Sequence, residues 1–376
     1  LLGMAQVGLR GYGREAQRAY TKARDLAQEL GETYELCRVT GELAILYYVW
    51  AEHHRARELA EEVLSLAQQA GEPLLVAMAY SYLGFILFAL GDFWSASAHF
   101  QQVIEIYCPE EHHRSFVSLR GSDFGLSALA YVACCQWCLG YPDQAAKLGK
   151  HVLALARELG HAFSLTDVLA YAGCMLNEML RDALPFTESA EELKRLAVEK
   201  VPGWLATATS FHGGALAMQG YLEDGIAELR KAVERRQYGH EWCYQTGCHC
   251  SLARAQLKAK QIQAGLGTVA KALAQIEQSD ERYTEAEIYR LQGELLLSQG
   301  NEIEAETSFG SAIGVARRQQ AKSWELRATT SLARLWRTQG KTEEARLALA
   351  EIYGWFTEGF DTKDLSEAKA LLEALS

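Results

Sequence analysis

Small apolar residues recur at fixed places in a 40-residue pattern of apolar and polar segments. A turn residue ends the first half of each repeat, and Gly or Ala stands seven places before it. The turn positions are Gly11, Ala51, Gly91, Gly140, Leu180, Gly220, Lys260, Gly300 and Gly340. The small residues are Ala44, Gly84, Ala133, Gly173, Gly213, Ala253, Gly293 and Ala333. Because a small residue lets a neighbouring helix approach closely, this pattern predicts helix pairs that stack on one another.

A second small position follows most turns by five residues. It is alanine in six repeats, namely Ala16, Ala56, Ala96, Ala145, Ala305 and Ala345. Repeats five to seven have Pro185, Gly225 and Gly265 instead. The pattern resembles the tetratricopeptide repeat (TPR) in a form of about 40 residues. It predicts an all-α fold, an α-solenoid of about nine TPR-like helix-turn-helix repeats in a single superhelical domain over residues 1–376.

Predicted helices of the first six repeats cover residues 12–30, 34–50, 53–69, 73–90, 93–107, 125–139, 142–159, 163–181, 185–199, 202–219 and 222–238, after a remnant helix at 1–10. One interval between turns is 49 residues long, which we attribute to an insertion at residues 108–123 between repeats three and four. We expect this insertion to be a loop on one face of the solenoid. Residues 361–375 open with polar residues and are predicted to form a capping helix.

Residues 74–90 carry no charge over seventeen positions. A membrane span needs about 20 apolar residues, so this segment is short for one. Pro73 before it and Gly91-Asp92 after it are typical of helix ends. The segment also has Gly84 at the small position, which favours a buried solenoid helix over a membrane span.

Composition limits the possible partners. The 48 acidic residues outnumber the 37 Lys and Arg residues, giving a net charge of −11, which argues against a nucleic-acid surface. Nine cysteines without a signal peptide indicate reduced thiols and a cytoplasmic location. Because the sequence begins at Leu1 partway through a repeat, we expect it to be a fragment of a longer protein.

Several motifs offer chemistry, but a structural interpretation fits each better. Gly340-Lys341-Thr342 lacks the first glycine of a phosphate loop, and two dinucleotide-like motifs at residues 11–16 and 265–270 follow no predicted strand. The cysteines are expected to pack as small hydrophobes, and the histidines of the insertion to be solvated, although a metal site remains an alternative. These residues are Cys134, Cys135, Cys138, Cys174, Cys243, Cys248, Cys250, His112 and His113, together with His249 beside Cys248 and Cys250 and with Glu110 and Glu111 of the insertion. We therefore predict a non-enzymatic segment without a cofactor.

Five longer strings carry a more specific resemblance. They are HHRSFVSLRGSDFG, LGYPDQA, ERYTEAEIYRLQGELLL, RRQQAKSWELRATTSLARLW and IYGWFTEGFDTKDLSEAKALL. Together they resemble the C-terminal TPR region of bacterial signalling proteins in which an adenylate/guanylate cyclase domain or another effector precedes an AAA/STAND-type ATPase. The resemblance implies a sensor or scaffold arm, with the family's catalytic residues upstream. Residues 121–125 depart from it, because Phe124 stands where the relatives have proline.

The first helix of each pair is expected to line a concave face. Two columns in the repeat register then supply candidate groove residues, aromatic in the N-terminal half and charged in the C-terminal half. The candidates are Tyr82, Phe85, Tyr131, Tyr171, Phe211, Arg254, Arg290, Glu294, Arg327 and Arg334. They form either a self-satisfied charge ladder with packed aromatics, or a cradle for a protein or peptide whose carboxylates the arginines hold.

Three functions are compatible with this pattern. The first is an interaction or sensor module that regulates an attached ATPase and nucleotide cyclase. The others are the effector-binding arm of a STAND-type transcription activator and a freestanding TPR adaptor. The partner would be a protein, a peptide or the upstream domains of the same chain, with no contact of this segment to nucleic acid or membrane.

Overall fold

The computed structural model describes residues 13–239 and 243–376, and all regular structure within these ranges is helical. The predicted all-α array of helix-turn-helix repeats is therefore confirmed. The remnant helix at residues 1–10 and the first turn at Gly11 lie outside the described residues.

The α-helices alternate between an inner and an outer row. In chain order they are α1 (Arg14–Leu30), α2 (Thr33–Val49), α3 (His53–Ala70), α4 (Pro73–Ala89), α5 (Phe93–Ile106), α6 (Pro109–Arg120), α7 (Phe124–Leu139), α8 (Pro142–Leu159), α9 (Ala162–Val168), α10 (Leu176–Leu180), α11 (Ala183–Glu199), α12 (Leu205–Gln219), α13 (Leu222–Gly239), α14 (Gln245–Lys258), α15 (Ile262–Ser279), α16 (Glu285–Leu297), α17 (Glu302–Arg318), α18 (Lys322–Thr338), α19 (Thr342–Tyr353) and α20 (Lys363–Leu375). The inner row is α2, α4, α7, α9 with α10, α12, α14, α16 and α18. These helices are buried on most sides, whereas the outer helices keep one polar face in water.

The small residues of the repeat sit where helices approach most closely. A Cβ atom added to Gly84 would lie 2.5 Å from the Phe100 ring, and one added to Gly293 would lie 2.5 Å from the Phe309 ring. In both repeats an aromatic ring of the outer helix fills the space that the glycine leaves on the inner helix. This contact explains why the small position is the most regular feature of the sequence.

The turn of repeat five is one residue later than the 40-residue period predicts. The left-handed turn residue is Arg181 (φ 60°), not Leu180. Between α9 and α10 the chain forms a π-helix at Leu169–Met175, whose wider turns take up an additional residue. The π-helix therefore accounts for the displaced turn.

The insertion at residues 108–123 contains a helix, so the expectation of a loop was wrong. Helix α6 has Pro109 in its first turn and ends at Gly121, whose φ is 84°. Phe116 from α6 stacks on Phe124 with ring centroids 3.7 Å apart, and both side chains are buried. A buried aromatic pair thus fixes the inserted helix to the start of α7, and Phe124 takes part in it.

The array winds into a superhelix in which repeats two, three and four each contact the unit five repeats later. The Tyr48 hydroxyl donates to the Tyr244 hydroxyl over 2.6 Å, which joins repeat two to repeat seven. The Arg282 N–H donates to the Ala89 carbonyl over 2.7 Å, which joins repeats three and eight. Ser323 Oγ donates to the carbonyl of Trp137 over 2.5 Å, which joins repeats four and nine. The second superhelical turn therefore lies directly on the first.

The C-terminal segment closes the array. Helix α20 buries Leu365, Leu371 and Leu375 against Ile352 and Phe356 at the end of the last repeat. This packing covers the apolar face of α18 and α19.

The most apolar stretch forms α4, most of whose side chains are buried in the core. Among the residues that the structure describes, no helix has both the length and the apolar character needed to span a bilayer.

A carboxyl group at the interface of α7 and α9 gives the fold a pH dependence. Burial raises the pKa of Asp167 to about 6 from 3.8, although Ser127 donates a hydrogen bond to it and Arg120 is nearby. Because the folded state prefers the protonated form, this group stabilises the fold most below pH 3.8 and loses that effect as the pH rises through about 6.

We expect the substitution Asp167→Asn to raise the free energy of unfolding at neutral pH by about 1–2 kcal/mol and to have little effect near pH 4. Urea denaturation across this pH range measures the difference, with the exposed Asp25→Asn as the control. An equal effect of Asp167→Asn at both ends of the range would contradict the assignment.

Candidate ligand-binding site

Two adjoining cavities open on the inner face where the superhelical turns meet. The larger one, which we call the polar cavity, has a volume of about 300 Å³. Its charged lining residues come from α10, α14, α16, α18 and α20 and from the turn after α10. They are Glu178, Arg181, Arg254, Lys258, Glu287, Arg290, Glu294, Arg327, Arg334, Lys363, Asp364 and Glu367. Since seven are cationic and five anionic, the lining carries a net charge of +2 on a chain whose net charge is −11.

One side of the polar cavity is a chain of alternating charges across three inner helices. Arg254 donates to Glu178 over 2.9 Å and to Glu287 over 3.2 Å. Arg290 donates to the same Glu287 over 2.7 Å and to Glu294 over 3.0 Å. Burial alone would raise the pKa of Glu287, but the neighbouring guanidinium groups hold it well below its usual value. This side therefore has three carboxylates and two guanidinium groups, so its net charge is negative.

The other side joins the last repeats to repeat five. Asp364, at the start of α20, accepts bonds from Arg327 and, over 2.9 Å, from Arg181. Glu367 pairs with Arg181 and with Arg334, each over 2.9 Å. This side has three guanidinium groups and two carboxylates, so its net charge is positive.

The smaller, apolar cavity has a volume of about 50 Å³ and shares Glu178 and Arg254 with the polar cavity. Its other walls are aromatic side chains, methionines, two thiols and several hydroxyl groups. They include Tyr171, Met175, Met179, Phe211, Tyr244, Cys250, Tyr283 and Trp324. An apolar surface next to paired charges can hold an apolar group and orient a polar one.

The structure brings most of the predicted groove residues together. Five of them line the polar cavity, namely Arg254, Arg290, Glu294, Arg327 and Arg334. Tyr171 and Phe211 line the apolar cavity. The charged candidates form ion pairs with residues outside the predicted set, because Arg254 pairs with Glu178 and Glu287 while Arg334 pairs with Glu367.

Three predicted groove residues lie in the core instead. Tyr82, Phe85 and Tyr131 are 0%, 5% and 1% exposed. The Phe85 and Tyr131 rings pack together with centroids 4.9 Å apart, and the Arg120 guanidinium covers the rings of Tyr82 and Phe85. The hydroxyl of Tyr131 lies 2.6 Å from that of Tyr244, which comes from the second superhelical turn. Packing between helices and between turns thus removes these three from a ligand's reach.

Sequence reasoning missed Glu178, Arg181, Asp364 and Glu367. Arg181 stands in a turn, and the two residues of α20 were predicted only as part of a capping helix. No local pattern relates them to α14 or α18. A usable signal would have been the five-repeat interval, which places the end of α10 beside the start of α20.

Within the residues that the structure describes, the cysteines and histidines form no metal centre. Seven of the nine thiols are buried, and burial raises the pKa of the Cys134 and Cys250 thiols, the latter to about 12. In α6, His113 bonds to Asp123 over 2.6 Å, and His112 accepts the Cys108 N–H over 2.9 Å. Over residues 13–239 and 243–376, no group of three His, Cys, Asp or Glu side chains could hold a metal ion.

Comparisons with known proteins agree with this architecture. A family model described as tetratricopeptide repeat matches residues 51–108, which contain α3, α4 and α5. A Rap protein in complex with competence and sporulation factor superposes with a TM-score of 0.58 at 13% identity, over 99% of both chains. No curated protein has a matching sequence. The chain is therefore an all-α array of helix-turn-helix repeats with a TPR-like superhelical fold, similar to the tetratricopeptide repeat over residues 51–108.

Two further solved structures are less similar. The human IFIT1 dimer with m7Gppp-AAAA has a TM-score of 0.48 and 15% identity, over 100% of this chain and 86% of that one. Yeast Tom70 has a TM-score of 0.44 and 14% identity over 91% of this chain. The chain spans 63% of the length of the Tom70 chain.

Proposed function

We propose that this array is a non-catalytic, cytoplasmic interaction module that binds a protein or peptide on its inner face and thereby regulates an attached ATPase and nucleotide cyclase. The observation that carries the proposal is the joined pair of cavities, one charged and one apolar, at the contact between the superhelical turns. TPR-type repeats generally act as protein-interaction modules, which supports a binding role. The resemblance of the five sequence strings supports the proposal that an ATPase and a nucleotide cyclase are attached to this array.

The walls of the polar cavity suggest how binding would be transmitted. Glu178 and Arg181 belong to the first superhelical turn, whereas Arg254, Asp364 and Glu367 belong to the second. A ligand carboxylate that pairs with an arginine here competes with the ion pairs that join the turns. Binding would therefore shift the relative position of the turns, and rotations between repeats add up along a solenoid.

Charge reversal at the cavity tests this function in the complete gene product. The Arg334 side chain is 46% exposed, so Arg334→Glu is expected to leave the fold intact. We expect it to change the ligand-dependent ATPase or cyclase rate about tenfold, since one charge-assisted bond to the ligand is replaced by repulsion. Arg337→Glu, three residues further along α18 and outside the cavity lining, is the matched control.

Equal rates for the wild type and both variants would contradict regulation through this cavity. The gene around this segment decides between the remaining functions. A helix-turn-helix domain beside it would indicate the effector-binding arm of a transcription activator. Start and stop codons immediately at residues 1 and 376 would indicate a freestanding adaptor and overturn the proposed regulation.

A further inference from the structure

We infer that the cationic end of the polar cavity binds a dianionic group, either a phosphate monoester or a pair of carboxylates. This inference rests on the proposed binding function of the cavity and specifies the chemistry of its ligand. The cationic end consists of Arg181, Lys258, Arg334 and Lys363, which all line the polar cavity.

The first argument is the unequal pairing of charges. On the side formed by α18 and α20, Asp364 and Glu367 serve the guanidinium groups of Arg181, Arg327 and Arg334. Each carboxylate is thus shared between two arginines. Since no further acidic residue lines this side, one positive charge remains uncompensated.

The second argument concerns two lysines at the mouth of the cavity. No ion pair involves Lys258, at the end of α14, or Lys363, at the start of α20, among the residues that the structure describes. Partial burial lowers the pKa of Lys258, and the charges of Arg254, Lys363 and Arg181 lower it further. The Lys258 ammonium therefore shares the cavity lining with three cations that disfavour its charge, and an anion between them would relieve this repulsion.

The third argument is size and access. A cavity of about 300 Å³ is at the lower end of the range for small-molecule sites, which suits a compact anion. Lys258 and Lys363 are exposed, and Arg334 is half-exposed, so a ligand reaches them without unfolding the inner face. The net charge of +2 on the lining matches two negative charges on the ligand.

Isothermal titration calorimetry of the whole chain tests this inference, at low ionic strength and about pH 8, where phosphate monoesters are dianions. Inorganic phosphate and succinate are expected to bind one site with a Kd of about 1 mM or tighter, because several charge-assisted bonds act together. Acetate, a monoanion of similar chemistry, is expected to bind about tenfold more weakly.

Three variants locate the site. Lys258→Gln and Lys363→Gln are each expected to weaken binding of both dianions by about tenfold. Lys271→Gln, on the exposed face of α15 in the same repeat as Lys258, is the matched control and is expected to bind as the wild type does. Circular dichroism of each variant checks that the fold is retained. We expect it to be retained because the substituted side chains are exposed.

Two sources of the dianion are distinguished in the same experiment. A short peptide with phosphoserine between glycines binds more tightly than free phosphate if the natural ligand is a modified protein, and no more tightly if it is a small molecule. Absence of saturable binding with every dianion overturns the inference, as does equal binding of acetate or unchanged affinity of the Lys258 variant. Regulation of the attached domains is tested separately, by the effect of Arg334→Glu on the ATPase or cyclase rate. Dianion binding can therefore be disproved while regulation is observed, and the reverse.

Discussion

The substitution Arg327→Ala is expected to lower the free energy of unfolding by about 3–5 kcal/mol, the usual effect of removing one partner from a buried ion pair. The Arg327 side chain is 8% exposed and pairs with Asp364. It also donates to the carbonyl of Met179 over 2.7 Å, and its guanidinium lies within 5.2 Å of the Trp137 ring centre and 4.9 Å of the Trp324 ring centre. One side chain therefore joins the first superhelical turn, α18 and the capping helix.

Urea denaturation measures this loss, with Arg346→Ala as the control. Arg346 pairs with Glu343 over 2.6 Å on the surface of α19. An exposed pair of this kind is worth about 0–1 kcal/mol. If the two substitutions had similar effects, the contact between the superhelical turns would contribute little to stability, and the proposed transmission through it would lose its basis.

The substitution Gly225→Ala is expected to destabilise the protein by about 1–3 kcal/mol, although alanine is the better helix former. A Cβ atom at Gly225 would lie 2.7 Å from the carbonyl oxygen of Gly213 and 2.8 Å from the backbone nitrogen of Ala217. Both obstacles are main-chain atoms of α12, so no side chain can rotate away. Helices α12 and α13 would have to move apart.

The control is the same substitution one repeat later, Gly267→Ala in α15. Nothing lies within 4 Å of the added Cβ there. Because the added methyl group meets no obstacle, only the higher helix propensity of alanine affects stability. We therefore expect Gly267→Ala to stabilise the protein by about 0.5–1 kcal/mol. Thermal unfolding of both variants would show shifts of opposite sign. Shifts of the same sign would mean that backbone approach between α12 and α13 does not limit the residue at position 225.

The repeat architecture could be predicted from the sequence because it depends on contacts between consecutive helices. Gly84 and Phe100 touch within one repeat, and the same contact recurs at Gly293 and Phe309. A contact that recurs in each repeat requires the same residue types at a regular interval along the sequence. The same reasoning explains Gly225, where glycine replaces the usual alanine and an added Cβ atom would meet main-chain atoms of the neighbouring helix.

The candidate site could be predicted only in part. The repeat register identified the inner helices, and with them Arg254, Arg290 and Arg334. It did not show that the second superhelical turn covers Tyr131, or that Asp364 reaches Arg181. Those contacts depend on the pitch of the superhelix, which is the sum of many small rotations between neighbours and has no separate signal in the sequence.

The inserted segment was predicted wrongly for a different reason. Pro109, the acidic residues after it and Gly121 are ordinary signals of a helix start and end. The segment interrupts the 40-residue period, so the repeat pattern predicts no helix there although the local signals do. Its helix is held by Phe116 and Phe124, an aromatic pair that no repeat position predicts.

Solenoids that rely only on neighbouring contacts can gain or lose whole units, because each unit touches just the next. In this array, contacts between the superhelical turns fix the number of units that lie between them. The bonds from Tyr48 to Tyr244 and from Arg282 to Ala89 each join units that are five repeats apart, with four units between them. Deleting one unit from that interval would place every later unit opposite the wrong neighbour. Related chains are therefore expected to vary in their outer helices and loops while keeping the number of units between these contacts unchanged.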